Sequence, residues 1–355
     1  MKNDEEESAS RRSFLQTGAT VLLGSGLLSG CAETFVSEHA SEEQLAFKRK
    51  QRSNVYLAWA EDYDSVLPAM TEAVKQLSPQ IKGKSIFLKI NLVDYRPDIP
   101  VFTNPAVVDA AIRVLQDAGA STIRVGDGPA LARDTEEFAR LSGMLDVCKK
   151  HALEFVDLNI DDLQKVENPL KFTGISEFLL PKSVMSSDMV ISMPKLKTHH
   201  WALMTCSMKN MFGVIPGRKY GWPKNILHVR GIHRSIVDIV AAVKPGFAIV
   251  DGIIGMEGNG PLNGSAKPLH ALILGDDLTA VDTVCALCMD LPVHKISYLN
   301  LAGMVLGNND MAQIELKGKS IDAVKQKFKL PPNYSADGTP IDPAKLKNGA
   351  ESGVT

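Results

Sequence analysis

One stretch of the chain, Met189 to Val237, concentrates side chains that bind anions. Its 49 residues hold eight lysines or arginines and four of the protein's eight histidines, with no aspartate or glutamate. Lysines gathered in a partly buried place repel one another and lose hydration, so their pKa values fall and they attract an anion. This basic stretch therefore predicts a site for a small anionic ligand.

Polar residues also close several predicted strands. They are Lys89, Asn91, Asp127 and Asp251, besides Lys195, Lys197 and His199 of the basic stretch, which are expected in a loop after the strand predicted at 188–192. Ligands of parallel sheets bind beyond the carboxyl ends of the strands, where side chains distant in sequence converge. A single aspartate at such a place is more often a turn former. Because four strand ends share this polar character, the pattern favours a site.

These residues receive three kinds of predicted role. Acid–base catalysis is assigned to His199, Lys197, Asp251 and Glu257. Anion binding is assigned to Lys89, Asn91, Lys195, Lys209 and Asn210. The predicted loops of the site contain Asp127, Gly252, Gly258 and Gly260. Asp251 and Glu257 have a second interpretation as ligands of a hard cation, which leaves the presence and identity of a metal open.

The segment DGIIGMEGNGPLNG, residues 251–264, is interpreted as a glycine-rich loop. Glycines permit positive φ and close backbone approach, so the loop would present N–H groups to a ligand or wrap a metal. An ordered loop with tight turns fits the same pattern equally well. The segment is not the dinucleotide fingerprint, which requires GxGxxG opening a helix directly after a strand.

Short apolar runs alternate with helical patterns from Asn54 onward. Asn104 before Pro105 is typical of an N-cap followed by an N1 proline. The alternation predicts an α/β fold with a mostly parallel sheet and helices on both faces, in three layers, with a division into two lobes left open. The domain is expected to span residues 53–330, and the Pro- and Gly-rich residues 331–355 are expected to be a flexible tail.

The N-terminus reads as a targeting segment. Arg11 and Arg12 precede an apolar run of about 12 residues, shorter than a membrane span. The following Leu28-Ser29-Gly30-Cys31 resembles a lipobox, which predicts a lipid on Cys31. Residues 1–30 are thus expected to be a twin-arginine lipoprotein signal and 31–52 a tether. Export by the twin-arginine machinery to the periplasmic face, with the lipid as the sole membrane attachment, follows as an expectation.

Composition narrows the possible functions. The net charge of −2 argues against nucleic acid as a partner, because a general nucleic-acid binder would be basic overall. The four cysteines after Cys31 lack the repeated ligand pairs of a zinc or iron–sulfur site, so no iron–sulfur cluster is expected. Cys285 and Cys288 lie in an apolar helical pattern and are interpreted as core residues. A divalent metal, or a cofactor loaded before export, stays open.

The chain resembles the family called domain of unknown function 362 from about Val55 to Leu316. The motifs that carry the resemblance are Lys89-Ile-Asn91, Thr103-Asn104-Pro105, Gly126-Asp127-Gly128, Pro194-Lys195-Leu-Lys197-Thr198-His199, Lys209-Asn210-Met-Phe-Gly213, Asp251-Gly252, Glu257-Gly258-Asn-Gly260-Pro261 and Ala280-Val281-Asp282. Many members carry a ferredoxin-like cysteine cluster. This chain lacks it, so an electron-transfer role is not implied.

A shorter motif is similar to nickel-pincer lactate racemase, which moves hydride at a 2-hydroxy acid. It consists of Lys197, His199, Lys209, Pro216 and Gly217. The similarity implies a lysine- and histidine-lined pocket for a carboxylate, with racemase or epimerase chemistry.

Three hypotheses follow from the sequence. The first is an exported enzyme acting on a small carboxylate or phosphate. The second is a lipid-anchored protein that binds such a ligand without turnover, for which Asp251 and Glu257 would be dispensable. The third is a structural envelope protein, which would show an apolar surface instead of a basic pocket.

Overall fold

A computed structural model of the protein describes residues 51–130 and 134–342, together with Ser41, Gln44 and Phe47. The predicted signal, Cys31, most of the tether and residues 343–355 lie outside the described residues. Residues 42–340 form one compact unit, so residues 331–340 belong to it although the sequence predicts that the domain ends near residue 330. Asn333, for example, donates an amide N–H to the carbonyl of His200.

The described residues contain twelve strands. In chain order they are β1 (Ser53–Trp59), β2 (Ser85–Ile90), β3 (Thr122–Asp127), β4 (Phe155–Asp157), β5 (Leu163–Glu167), β6 (Glu177–Pro181), β7 (Met189–Met193), β8 (Lys195–His199), β9 (Leu203–Thr205), β10 (Phe247–Asn259), β11 (Asn263–Gly275) and β12 (Ile314–Gly318). Ten of them form one sheet in the order β12-β1-β11-β10-β7-β2-β3-β4, with β8 paired to β10 and β9. The other two, β5 and β6, form a separate hairpin.

Helices cover this sheet. In chain order they are α1 (Val66–Leu77), α2 (Pro105–Asp117), α3 (Thr135–Leu141), α4 (Met144–Lys150), α5 (Lys182–Met185), α6 (Ser207–Asn210), α7 (Gly217–Tyr220), α8 (Asn225–Val229), α9 (Ile232–Val243), α10 (Leu278–Cys288), α11 (Ser297–Val305) and α12 (Ile321–Val324). The pairs β2–β3, β2–β7, β3–β4, β7–β10, β8–β10 and β1–β12 are parallel. The predicted α/β fold with a mostly parallel, helix-covered sheet is therefore confirmed.

Local signals fix several element boundaries. The Asn104 side chain accepts the N–H of Ala106 and Pro105 is the first residue of α2, as the sequence predicts. The sequence pattern predicts single helices near residues 135–151 and 225–244. Each is divided at a glycine with positive φ, Gly143 between α3 and α4 and Gly231 between α8 and α9. A glycine in this conformation ends a helical run, because a β-carbon disfavours positive φ.

Side chains on β2 alternate between the hydrophobic core on one face of the sheet and a polar environment on the other. Ile86, Leu88 and Ile90 join the main hydrophobic core, to which α1 and α2 contribute their buried residues. Successive strand residues point to opposite faces, so Lys89 points away from that core. The same strand thus anchors the fold on one face and carries a buried lysine on the other.

Two local predictions around the site are wrong. The predicted loop 251–264 is part of a β-hairpin, because β10 and β11 are each 13 residues long and pair antiparallel as far as Asn259 and Asn263. Lys195, Lys197 and His199, expected in a loop, form β8. Extended pairing satisfies backbone groups that a buried loop would leave unpaired.

No helix in the described part of the chain is long and apolar enough to cross a membrane.

Candidate functional site

The basic strand β8 lies beside β10, with Asp251 opposite Lys195 and Met256 opposite Lys197. Residues two apart on a strand share a face, so Lys195, Lys197 and His199 point the same way. All three are buried. With Lys89, Lys209 and Lys224 they form the lysine site, defined here as these five lysines and His199.

Lys89 is a fully satisfied ammonium. Its Nζ lies 2.5 Å from Asp127 Oδ1, 2.8 Å from the Ile90 carbonyl and 3.3 Å from Asn210 Oδ1. Burial lowers the pKa of Lys89 and the Asp127 carboxylate opposes that shift. Gly213 packs against this pair, since a β-carbon there would lie 2.5 Å from Lys89 Nζ. An ammonium has three N–H donors, and all three have acceptors here.

Lys195 is likewise an ammonium with an acceptor for each of its three N–H donors. Its Nζ lies 2.5 Å from Asp251 Oδ2, 2.9 Å from the Tyr63 hydroxyl and 3.2 Å from the Ile254 carbonyl. Burial lowers the pKa of Lys195, opposed by Asp251. Asp251 also accepts the backbone N–H of Asn104. Asp251 is thus the counter-ion of Lys195 and the acceptor for the N–H of Asn104, the N-cap residue of α2.

Lys197 lacks a carboxylate partner among the described residues. Its Nζ donates to Asn91 Oδ1 at 2.7 Å and to the Val101 carbonyl at 2.8 Å. Burial, followed by the positive charge of Lys195, lowers the pKa of Lys197 to about 7. A neutral amine has two N–H donors and one lone pair, so these two acceptors satisfy the amine and leave its lone pair uncommitted.

Lys224 repeats this pattern and was not predicted. Its buried Nζ donates to the Gly128 carbonyl at 2.8 Å and the Phe212 carbonyl at 3.2 Å. Burial lowers the pKa of Lys224 to about 7. In sequence it lies in the polar turn GWPKN before α8, a context typical of exposed lysines. Membership of the basic stretch was the only signal that pointed to it.

Lys209 is the partly exposed cation of the site. Its Nζ lies 4.2 Å from the Phe212 ring centroid. No described oxygen lies within hydrogen-bonding distance of this ammonium. Burial, followed by the charge of Lys89, lowers the pKa of Lys209 to about 8. A cation held on an aromatic face without an oxygen partner is free to bind an anion.

The hydrogen bonds of His199 determine its tautomer. Its Nδ1 accepts the backbone N–H groups of Trp201 at 2.9 Å and Ala202 at 3.2 Å. Burial, and then the charge of Lys209, holds the pKa of His199 well below its usual value, so the ring is neutral. The proton therefore sits on Nε2, which makes His199 a hydrogen-bond donor.

Aromatic rings extend from His199 towards the surface. The ring wall consists of His199, His200, Trp201, His228 and Phe212, with successive centroids 4.9, 4.7, 5.1 and 5.1 Å apart. The Nδ1 of His200 donates to the Gly260 carbonyl, and that of His228 to the Lys224 carbonyl. Burial lowers the pKa of His228 to about 4, so this ring is neutral at pH 7.

Several predicted residues support the lysine site instead of facing a ligand. The Asn91 amide oxygen accepts a hydrogen bond from Lys197 Nζ. The Asn210 amide oxygen accepts one from Lys89 Nζ, and the Asn210 amide nitrogen donates to the Lys89 carbonyl and to the Ser192 hydroxyl. Asp127 is the counter-ion of Lys89. The structure does not bring Glu257 to these groups. Its carboxylate accepts the backbone N–H of Lys329 at 3.0 Å and lies 3.6 Å from Lys329 Nζ.

The three predicted loop glycines belong to β10 or the hairpin turn. A β-carbon on Gly252 would lie 3.0 Å from the Ala271 carbonyl, and Gly258 has a φ of +79°. At Gly260 a β-carbon would collide with the Thr198 carbonyl, because the turn packs directly on β8. These glycines permit close chain packing. Within residues 51–130 and 134–342, no three His, Cys, Asp or Glu side chains are grouped to hold a metal ion.

The comparisons with known proteins agree with the sequence motifs. The family model described as domain of unknown function (DUF362) matches residues 86–287. A thylakoid-associated protein of Synechocystis is 31% identical over 209 residues, which are 57% of this chain and 62% of that protein. The chain thus spans about three fifths of that relative's length.

Two solved structures align with part of the chain. Lactate racemase apoprotein from Thermoanaerobacterium thermosaccharolyticum aligns with a TM-score of 0.39 and 12% identity, covering 60% of this chain and 53% of that one. A protein of Thermotoga maritima aligns with a TM-score of 0.35 and 13% identity, covering 64% of this chain and 58% of that one. At these scores the likeness supports no inference about activity.

Proposed function

On the premise that this chain belongs to the domain of unknown function (DUF362) family, we propose that its lysine site is an enzyme active site that binds a small carboxylate or phosphate compound and transfers a proton on it. One observation carries the proposal. Lys197 has two neutral acceptors and a pKa of about 7, so near neutral pH it exists both as an amine with a lone pair and as an ammonium. Such a group takes up and returns protons efficiently.

The surrounding residues provide the other functions of such a site. Lys209 supplies a positive charge that no described oxygen neutralises, and His199 supplies a neutral Nε2–H donor. In the proposed step, the Lys197 lone pair takes a proton from the carbon beside the ligand's carbonyl group. The C–H bond breaks, an N–H bond forms, and the electron pair moves onto the carbonyl oxygen, which His199 stabilises. Return of the proton to the opposite face would complete a racemisation or epimerisation.

Deuterium exchange tests this proposal. The purified protein is incubated in D2O with panels of 2-hydroxy acids, 2-keto acids and phosphate esters that carry a carbonyl group, and deuterium at the carbon beside the carbonyl group is followed by NMR. We expect exchange for one class, its loss in Lys197→Met, and its retention in Lys219→Met, a control at an exposed lysine of the basic stretch. Absence of exchange with every ligand that binds would overturn the catalytic step.

One observation favours the alternative of a binding protein without turnover. Both predicted catalytic carboxylates are occupied, Asp251 by Lys195 and Glu257 by Lys329. In that case the same ligands bind to the lysine site, and Lys209→Met lowers the affinity for them. No deuterium exchange occurs in D2O.

We also propose that the protein is exported by the twin-arginine pathway and held at the periplasmic face by a lipid on Cys31. The support is the arginine pair followed by the apolar run and lipobox. Replacing both Arg11 and Arg12 by lysine should leave the protein in the cytoplasm, and Cys31→Ala should move it from the membrane to the soluble fraction. A parent protein found in the cytoplasm, or in the soluble fraction like Cys31→Ala, would contradict the proposal.

A further inference from the structure

The ring wall links the buried part of the lysine site to the surface. It begins at His199, which is buried, and reaches Trp201, whose side chain is 52% exposed. Phe212 lies at its other end, beneath the ammonium of Lys209. A cation without an oxygen partner among the described residues and a set of aromatic rings therefore adjoin each other in one place.

Hydrogen bonds hold the imidazole rings of this wall in place. His200 and His228 each donate Nδ1–H to a backbone carbonyl, which holds the plane of the imidazole. Trp201 meets both rings edge-on, at interplanar angles of 71° and 64°. The Trp201 side chain is 52% exposed, so indole surface is available to a planar group, which stacks favourably on it.

Apolar exposure continues on the helix that carries His228. Ile226 and Val229 of α8 are 43% and 72% exposed. These two side chains add exposed apolar area, whose hydration is unfavourable, to the helix that contributes His228 to the ring wall.

From these contacts we propose that the ligand of the lysine site is an anion that carries an aromatic body, with its carboxylate or phosphate on Lys209 and His199 and its ring on Trp201. This inference rests on the proposed function, because it requires an anion at the lysine site. The wall is built from flat rings, so it favours an aryl group over a flexible alkyl chain, which also loses more conformational entropy on binding.

Matched ligand pairs test the inference by calorimetry. They are inorganic phosphate with phenyl phosphate and acetate with phenylacetate, and octyl phosphate represents the alkyl alternative. We expect at least one phenyl ligand to bind about tenfold or more tightly than its parent anion, and phenyl phosphate to bind more tightly than octyl phosphate. In Trp201→Ala this advantage should fall to about twofold or less, while the affinity for the simple anion is kept. The control is Trp59→Ala, because Trp59 is 41% exposed on β1 and outside the ring wall.

The outcomes separate the two proposals. If simple anions bind in a Lys209-dependent manner but phenyl ligands gain nothing, or keep their gain in Trp201→Ala, the aromatic inference is overturned and the proposed function stands. Tighter binding of octyl phosphate than phenyl phosphate also overturns it. If no anion binds the parent protein, both fail.

Discussion

Lys197 Nζ lies 2.7 Å from the amide oxygen of Asn91, a neutral acceptor, whereas Lys195, two residues earlier on the same strand, meets the carboxylate of Asp251. This difference divides the lysine site into two parts. Lys89 and Lys195 have carboxylate partners and three acceptors each, which keeps them as structural ammonium groups. Lys197 and Lys224 have two neutral acceptors each, which allows them to be amines.

Lys209→Met should weaken anion binding. The substitution removes a partly exposed ammonium with no oxygen partner among the described residues, so it leaves no acceptor unsatisfied. A hydrogen bond to a charged group contributes about 1.5–3 kcal/mol, so we expect at least ~10-fold lower affinity for phosphate or a carboxylate by calorimetry. Lys219→Met, at an exposed lysine, is the control. Equal losses in both variants would show that only general charge matters.

The stability of the protein should depend on pH through Lys197. Its pKa falls from 10.5 to about 7 on folding, so between these pH values the unfolded chain binds more protons than the folded one. The free energy of unfolding therefore rises with pH across this window. Below about pH 7 the group is charged in both states, and the cost of burying its charge is present in full.

Lys197→Met removes this pH dependence. The free energy of unfolding is measured by denaturant titration. Between pH 7 and 9, the value for the parent should rise by about 1 kcal/mol or more relative to the value for the variant. Lys182→Met, at a surface lysine whose side chain is 54% exposed, should follow the parent curve. Parallel curves for the parent and Lys197→Met would mean that Lys197 keeps its ordinary pKa.

Two substitutions at His199 separate its structural and ligand-binding roles. His199→Asn retains an oxygen near the Nδ1 position to accept the N–H groups of Trp201 and Ala202, but it loses the Nε2–H donor. His199→Ala loses both functions. We expect weaker anion binding in both variants. A loss of stability, about 1–3 kcal/mol for an unsatisfied buried donor, is expected only in His199→Ala. Unchanged binding in His199→Asn would remove the donor from the proposed site.

Asp127→Asn should destabilise the fold by ~3 kcal/mol or more, because it leaves the Lys89 ammonium buried without its counter-ion. Adding Lys89→Met should recover much of this loss, since the double variant buries no unpaired charge. Urea titrations of the parent, both single variants and the double variant measure the coupling. Additive effects would contradict a direct ion pair.

Glu257→Gln should leave anion affinity unchanged. Its carboxylate is occupied by Lys329, and glutamine can still accept the backbone N–H of that residue. The lost ion pair involves an exposed ammonium, so its cost should be about 1 kcal/mol or less. Binding and deuterium exchange measured on this variant check the assignment. A tenfold loss in either would return Glu257 to the site.

Much of the architecture follows from short-range patterns. Apolar runs separated by helical spacing predict the parallel sheet, and Asn104 with Pro105 predicts the start of α2. These features are local, because periodicity and capping depend on neighbouring residues. The 13-residue strands β10 and β11 escaped prediction, since their glycines resemble a loop until the chain's own pairing is known.

The sequence by itself determined that lysines and histidines are concentrated in one basic stretch, and it identified the family. Only the tertiary structure decided which lysines are neutralised. Asp127 reaches Lys89 from 38 residues away and Asp251 reaches Lys195 from 56 residues away, while Lys197 and Lys224 receive only neutral oxygens. The charge of a buried lysine depends on its desolvation and on the acceptors within about 3 Å, and distances in space across a sheet are not encoded by spacing along the chain.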